Sequence, residues 1–217
     1  MYRRLRALCV LVAVLLTASC SSGPSGPSID LNDKVIVAFG NSITAGVGDR
    51  SRPPGYPYKL ELILIGSWPN AIVLNRGVAG ERTYQGAVRI NRVLARDNPD
   101  YVLIMEGINN VGQTSLSSVI WDLESMVASV KAAGAIPLLA SLTPTTGPHE
   151  AKMPGIEALN PMIRNLADRE KIVFVDQFRA FMNTLDFTTL LDSDGLHPNT
   201  AGYQLMAETW YQGLLQL

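Results

Sequence analysis

Short aliphatic and β-branched runs recur along this chain, separated by longer segments of helical spacing. The runs are Val35–Phe39, Ile72–Asn75, Tyr101–Met105, Ile136–Ser141 and Ile172–Val175. They are continuous rather than alternating, which is the pattern of strands buried on both faces. Between them, Tyr58–Ile65 is apolar on most sides, and Tyr84–Ala95 carries Val88, Val93 and Leu94 among arginines. Leu116–Ala133 repeats Val119, Leu123, Met126, Val127 and Val130 at helical intervals, with Gly134 placed as its C-cap. Ile156–Asp168 and Thr200–Leu214 complete the helical set, and Asn199 or Thr200 is suited to cap the last helix. This alternation predicts an α/β chain with three α/β/α layers and a flavodoxin-like, doubly wound sheet of five parallel strands. Ligands of such sheets bind beyond the carboxyl ends of the strands, where strand order reverses.

The first twenty residues follow a different rule. Arg3, Arg4 and Arg6 precede an apolar run, Ala7–Leu16, that is too short to span a bilayer, and Thr17-Ala18-Ser19 then leads to Cys20. That order reads as an export signal, residues 1–20, and the small residues before Cys20 resemble a bacterial lipobox. The resemblance implies a lipid on Cys20 and a membrane-anchored lipoprotein of the cell envelope. Ordinary cleavage near Ala18-Ser19 and an uncleaved anchor are the alternatives. Residues 21–28, rich in Ser, Gly and Pro, read as a flexible tether, and residues 29–217 as one domain.

Composition narrows the function. The 217 residues carry 18 basic and 19 acidic side chains, a net charge of −1 that becomes −4 when the three leader arginines are removed. No basic run follows the leader, so nucleic acid is not an expected partner. The two cysteines, Cys9 and Cys20, leave the mature chain without an internal disulfide. With only His149 and His197 and no CxxC pattern, a structural zinc site is not expected. The single-domain pattern predicts a monomer.

Polar clusters follow the first three strands: Gly40-Asn41-Ser42-Ile43-Thr44, Gly77-Val78-Ala79-Gly80-Glu81-Arg82 and Glu106-Gly107-Ile108-Asn109-Asn110. A fourth, Asp192-Ser193-Asp194-Gly195-Leu196-His197, precedes the last helix. Taken singly, Ser42 is a helix cap, Gly80 a turn glycine and Asn109 a loop anchor. Together they bring a hydroxyl, a glycine N–H, a carboxamide, an acid and an imidazole to one sheet edge. A serine needs a base to take its proton; His197 supplies one if Asp194 orients its ring. The oxyanion formed by attack on an ester needs fixed donors, and the N–H groups of Ser42 and Gly80 with the amide of Asn109 are suited to that.

These blocks resemble those of the SGNH hydrolase superfamily, the GDSL esterase/lipase group, over residues 34 to 217. Gly40-Asn41-Ser42-Ile43 stands for Gly-Asp-Ser-Leu, Gly107-Ile108-Asn109-Asn110 for Gly-x-Asn-Asp, and Asp194-x-x-His197 matches outright. The resemblance implies the SGNH hydrolase fold, a catalytic Ser42, Asp194 and His197, an oxyanion hole of Ser42, Gly80 and Asn109, and chemistry without metal or organic cofactor. Asn41 and Asn110, where the group has aspartate, each remove a carboxylate beside the site.

The run from Gly80 to Gly86 looks most like the branch of arylesterases and periplasmic thioesterase/lysophospholipases. That implies acyl esters of lipids, aryl groups or small alcohols, and thioesters, as substrates. A carbohydrate acetylesterase is the alternative within the same chemistry, and a non-catalytic ligand-binding lipoprotein the alternative outside it. Of the neighbouring residues, Asp192 is a second candidate orienter, and Glu81-Arg82 reads as an ion pair or helix start. Glu106 reads as a loop anchor, and His149 as a rim residue in a loop over Thr143–Pro154. A dinucleotide loop, a P-loop and the Gly-x-Ser-x-Gly elbow are absent.

Overall fold

The computed structural model describes residues 34–217. The signal peptide, Cys20 and the tether lie outside the described residues, so nothing in the fold bears on them. Five parallel strands form one sheet in the order β2-β1-β3-β4-β5: β1 (Val35–Gly40), β2 (Ile72–Gly77), β3 (Tyr101–Met105), β4 (Ile136–Ala140) and β5 (Val173–Val175). The helices are α1 (Ser42–Ala45), α2 (Tyr56–Leu64), α3 (Thr83–Asp97), α4 (Leu116–Ala132), α5 (Met153–Glu170), α6 (Gln177–Met182) and α7 (Thr200–Leu214). The predicted flavodoxin-like topology is the one observed.

The continuous strand runs are explained by burial on both sides. Ile36–Phe39 and Val102–Ile104 are inaccessible to solvent, because α2 packs with α7 and α3, α4 and α5 pack in series. Right-handed crossovers send these two groups to opposite faces of the sheet. On one side the Tyr56 and Trp210 rings stack at 6.0 Å between centroids. On the other, Gly86 of α3 admits Met126 and Phe39 at contact distance. Truncating a core side chain such as Leu103 to alanine is expected to cost about 2–5 kcal/mol.

Differences from the sequence reading are local. Thr143–Pro154 is not all loop: Gly147–Lys152 forms a 3₁₀ turn leading into α5, whose first turn holds Pro154. The short helices α1 and α6 were not expected, since four and six residues give no periodicity to read. Ala133 is the C-cap of α4, and Gly134 at φ +81° is the left-handed residue after it. Asn199, not Thr200, caps α7, accepting from Ala201 and Gly202.

For the site, the decisive feature is the central place of β1. The chain leaves β1 toward β2 on one side and returns to β3 on the other, so the loops after these three strands meet at the switch point. Gly40 and Gly77 let them meet closely: a Cβ on Gly40 would strike Thr44 and the Met105 carbonyl, and one on Gly77 would strike the backbone of Ala45.

Candidate active site

Ser42 is the first residue of α1, directly after β1. Asn41 is the N-cap, its Oδ1 accepting the Ile43 N–H at 3.0 Å. The cap reading of Ser42 therefore belongs to its neighbour, and the Ser42 hydroxyl is left for other work. It lies 2.9 Å from His197 Nε2. On the far side of the ring, His197 Nδ1 lies 2.5 Å from Asp194 Oδ2. A carboxylate accepts only, so Nδ1 carries the proton and Nε2 is the free acceptor facing the serine.

Asp194 can do this because its other oxygen is occupied: Oδ1 accepts the N–H groups of Leu196 and His197, each at 2.9 Å. Burial alone would raise this acid. The bond from the His197 ring, the two backbone N–H groups and the imidazolium charge outweigh it, holding Asp194 below the usual carboxylate range. The loop is closed around them. His197 O accepts Asp192 N–H at 2.7 Å, Leu191 bridges to Pro198, and Thr146 donates to the Gly195 carbonyl at 2.8 Å. The rival orienter Asp192 is not used; its side chain faces Arg50 at 4.0 Å.

The three candidate oxyanion donors come from three loops. Among the described residues, the backbone N–H groups of Ser42 and Gly80 donate to no other group. Gly80 is glycine for its backbone angle, φ +78°, rather than for close packing, since a Cβ there would meet nothing within 4 Å. Asn109 Nδ2 donates to the Glu81 carbonyl at 2.8 Å, which orients the amide and leaves its second hydrogen free. Lys152, which the sequence did not single out, grips the same loop, donating to the carbonyls of Ile108 and Val111 at 3.2 Å. A lysine over forty residues from the loop carries no local signal of that role.

The two asparagine departures have separate duties. Asn110 Oδ1 accepts the Thr83 N–H at 3.0 Å and so secures the start of α3. Asn41 Nδ2 donates to Glu106 at 3.2 Å. Glu81 does not pair with Arg82, as one reading of the sequence had it. Arg89 takes both its oxygens, at 2.7 and 2.5 Å, while Arg82 is the N-cap of α3. His149 stands half-buried on the 3₁₀ turn, its carbonyl accepting from Thr145.

A family model described as GDSL-like lipase/acylhydrolase matches residues 38–205. The chain belongs to that family. Its members are carboxylic ester hydrolases, and so is this enzyme. The GDSL chain is 26% identical over 185 residues to Esterase TesA of Pseudomonas aeruginosa, with 82% of this chain and 86% of that one covered. The lipase/acylhydrolase from Enterococcus faecalis superposes with a TM-score of 0.75 at 22% identity, covering 83% of this chain and 95% of that one. An acetylxylan esterase from Geobacillus stearothermophilus gives 0.73 at 22% identity, over 85% and 95%. At such identities these two structures speak for the GDSL fold.

Proposed function

We propose that this hydrolase cleaves acyl esters by a two-step transfer through Ser42. Ser42 Oγ forms a bond to the acyl carbon as His197 Nε2 takes its proton. The carbonyl oxygen gathers negative charge facing the N–H groups of Ser42 and Gly80 and the Asn109 amide. Collapse breaks the bond to the leaving oxygen, to which His197 returns the proton, and an alcohol departs. Water, deprotonated by His197, attacks the acyl-serine, releases the acid and restores the serine. Asp194 keeps the ring in its tautomer and balances the imidazolium.

The observation that carries this reading is the unbroken line from Asp194 through His197 to Ser42, at 2.5 and 2.9 Å, beside two uncommitted backbone N–H groups. The leading substrates are lipid, aryl and small-alcohol esters and thioesters, in keeping with the acylhydrolase family and with the esterase relative. The enzyme works in the cell envelope, held by a lipid on Cys20, a reading supported by the leader sequence; palmitate labelling lost in Cys20→Ala tests it.

A fluorophosphonate probe is expected to label the folded enzyme and to fail with Ser42→Ala, whose kcat should fall on the order of 10⁶-fold. Absence of labelling in the folded wild type would sink the mechanism. A nitrophenyl ester series of increasing acyl length tests the substrate. Activity confined to acetyl would replace the lipid reading with a glycan deacetylase.

A further inference from the structure

Glu106, the residue after β3, is 1% exposed and has no part in the acyl transfer. A buried carboxylate needs donors, and this one is short of them. Asn41 Nδ2 donates to Oε2 at 3.2 Å. The amide has no choice of orientation, because its Oδ1 is taken by the Ile43 N–H, which can only donate. The second oxygen, Oε1, is buried with no donor among the described residues. Beside Glu106 stands another carboxyl group, Glu81, in hydrogen-bond contact with it and 4% exposed. Two carboxylates in contact away from water do not both stay ionised. Arg89 holds both oxygens of Glu81, so of the two carboxyl groups Glu106 is the one left to hold a proton.

We propose that Glu106 is a positioning residue: a neutral carboxyl group that accepts from Asn41 and donates to Glu81, tying the Ser42 loop to the two loops that carry Gly80 and Asn109.

Both ends of this chain of bonds sit on the machinery. Asn41 caps the turn that opens with Ser42. The Glu81 carbonyl accepts the Asn109 amide, and the Glu81 N–H returns to the Val78 carbonyl at 3.1 Å, enclosing Gly80. Arg89 anchors the chain to the sheet: its guanidinium lies 4.0 Å over the Phe39 ring and donates to the Arg76 carbonyl at 3.0 Å. Burial first, then the Glu81 charge and contact, push Glu106 well above the ordinary carboxyl range; Asn41 and the Gly107 N–H oppose this without reversing it. The remaining titratable neighbour is Tyr56 of α2, whose hydroxyl pairs with Thr44 at 3.2 Å. The arrangement also accounts for asparagine at position 41. An aspartate there would set a further carboxylate against Glu106, leaving one proton for two contacts.

The proposal rests on Ser42 being the nucleophile, and the test separates the two. Glu106→Gln keeps an acceptor for Asn41 and a donor for Glu81, whereas Glu106→Met keeps the size and loses both. On a nitrophenyl ester, with active sites counted by the fluorophosphonate probe, Glu106→Gln is expected within about threefold of the wild-type kcat. Glu106→Met is expected to lose about tenfold or more in kcat, with KM within about twofold and a parallel fall in labelling rate. Equal losses in both variants would overturn the neutral-carboxyl assignment. Unchanged kcat and labelling rate in folded Glu106→Met would overturn the positioning role. Infrared spectroscopy needs neither that variant nor a working nucleophile. A protonated-carboxyl stretch that disappears in Glu106→Gln is expected in the wild type, and its absence overturns the proposal. Failure of Ser42 to label, with that band present, would count against the nucleophile alone.

Discussion

Asp49 and Glu106 are both buried acids within reach of the Ser42 loop, 7% and 1% exposed, yet their surroundings differ in kind. Asp49 accepts from the Ser51 N–H and hydroxyl at 2.9 and 2.7 Å, the Gly55 N–H at 2.8 Å and the Thr200 hydroxyl at 2.8 Å, with Lys59 at 3.3 Å. Burial would raise it, and these donors together more than offset that, holding it far below the ordinary carboxylate range. Glu106 has one side-chain donor and a second carboxyl group for company, and its shift runs the other way. Depth of burial does not set the charge of an acid inside this protein. The number of donors aimed at it does.

Removing the charged member should have the largest effect. Asp49→Ala leaves Lys59 buried without its partner and several donors unmet, and is expected to destabilise by about 3–5 kcal/mol in urea unfolding. Loss under 1 kcal/mol would mean that the donors find water as easily as carboxylate. Next comes the attempt to make the Glu106 region resemble the Asp49 region without adding donors. Asn41→Asp removes the one side-chain donor to Glu106 and is expected to cost about 1–3 kcal/mol by the same measurement.

Titration probes the contrast without changing a donor. Asp49 titrates lower in the folded state than in the unfolded chain. Its contribution is present above the unfolded value near 4 and is lost as pH falls below it. Glu106 titrates higher when folded, so its contribution is full below the unfolded value and is lost as pH rises toward the folded one. Between pH 5 and 8, wild-type unfolding free energy should therefore decline relative to Glu106→Gln by up to about 1.4 kcal/mol per pH unit until the folded value is reached. Parallel curves would place the proton elsewhere. The smallest effect is expected from the other asparagine. Asn110→Asp keeps its acceptor for the Thr83 N–H, and the Thr114 hydroxyl at 3.2 Å turns from acceptor to donor. The added charge lies at the start of α3, where it is favoured, so the change should stay within about 0.5 kcal/mol.

Much of this was legible along the chain. Continuous apolar runs separated by helical periodicity indicated the doubly wound sheet, because both signals arise from burial within a few residues of sequence. The site residues were legible for a different reason. Serine, aspartate and histidine in that order, with glycine and asparagine between, make chemical sense as a set. Element bounds were read less well: α3 and α5 each run further than their apolar positions suggested, since Thr83, Asp97 and Pro154 are good termini but poor core residues.

What the sequence determined by itself is therefore the order of elements and the kinds of side chain delivered to one edge of the sheet. Tertiary structure alone decided which of those side chains meet. Glu81 turned from its neighbour Arg82 to Arg89, two helical turns on, because Arg82 caps α3 while Arg89 faces the sheet. Asn41 found Glu106 across 65 residues because β1 lies beside β3, and Ser42 found His197 across 155 because the loop before α7 folds back to the same edge. Propensity and periodicity act over a turn or two of chain. Pairing over such distances is set by strand order, and the protonation that follows from it is set by the donors that strand order happens to gather.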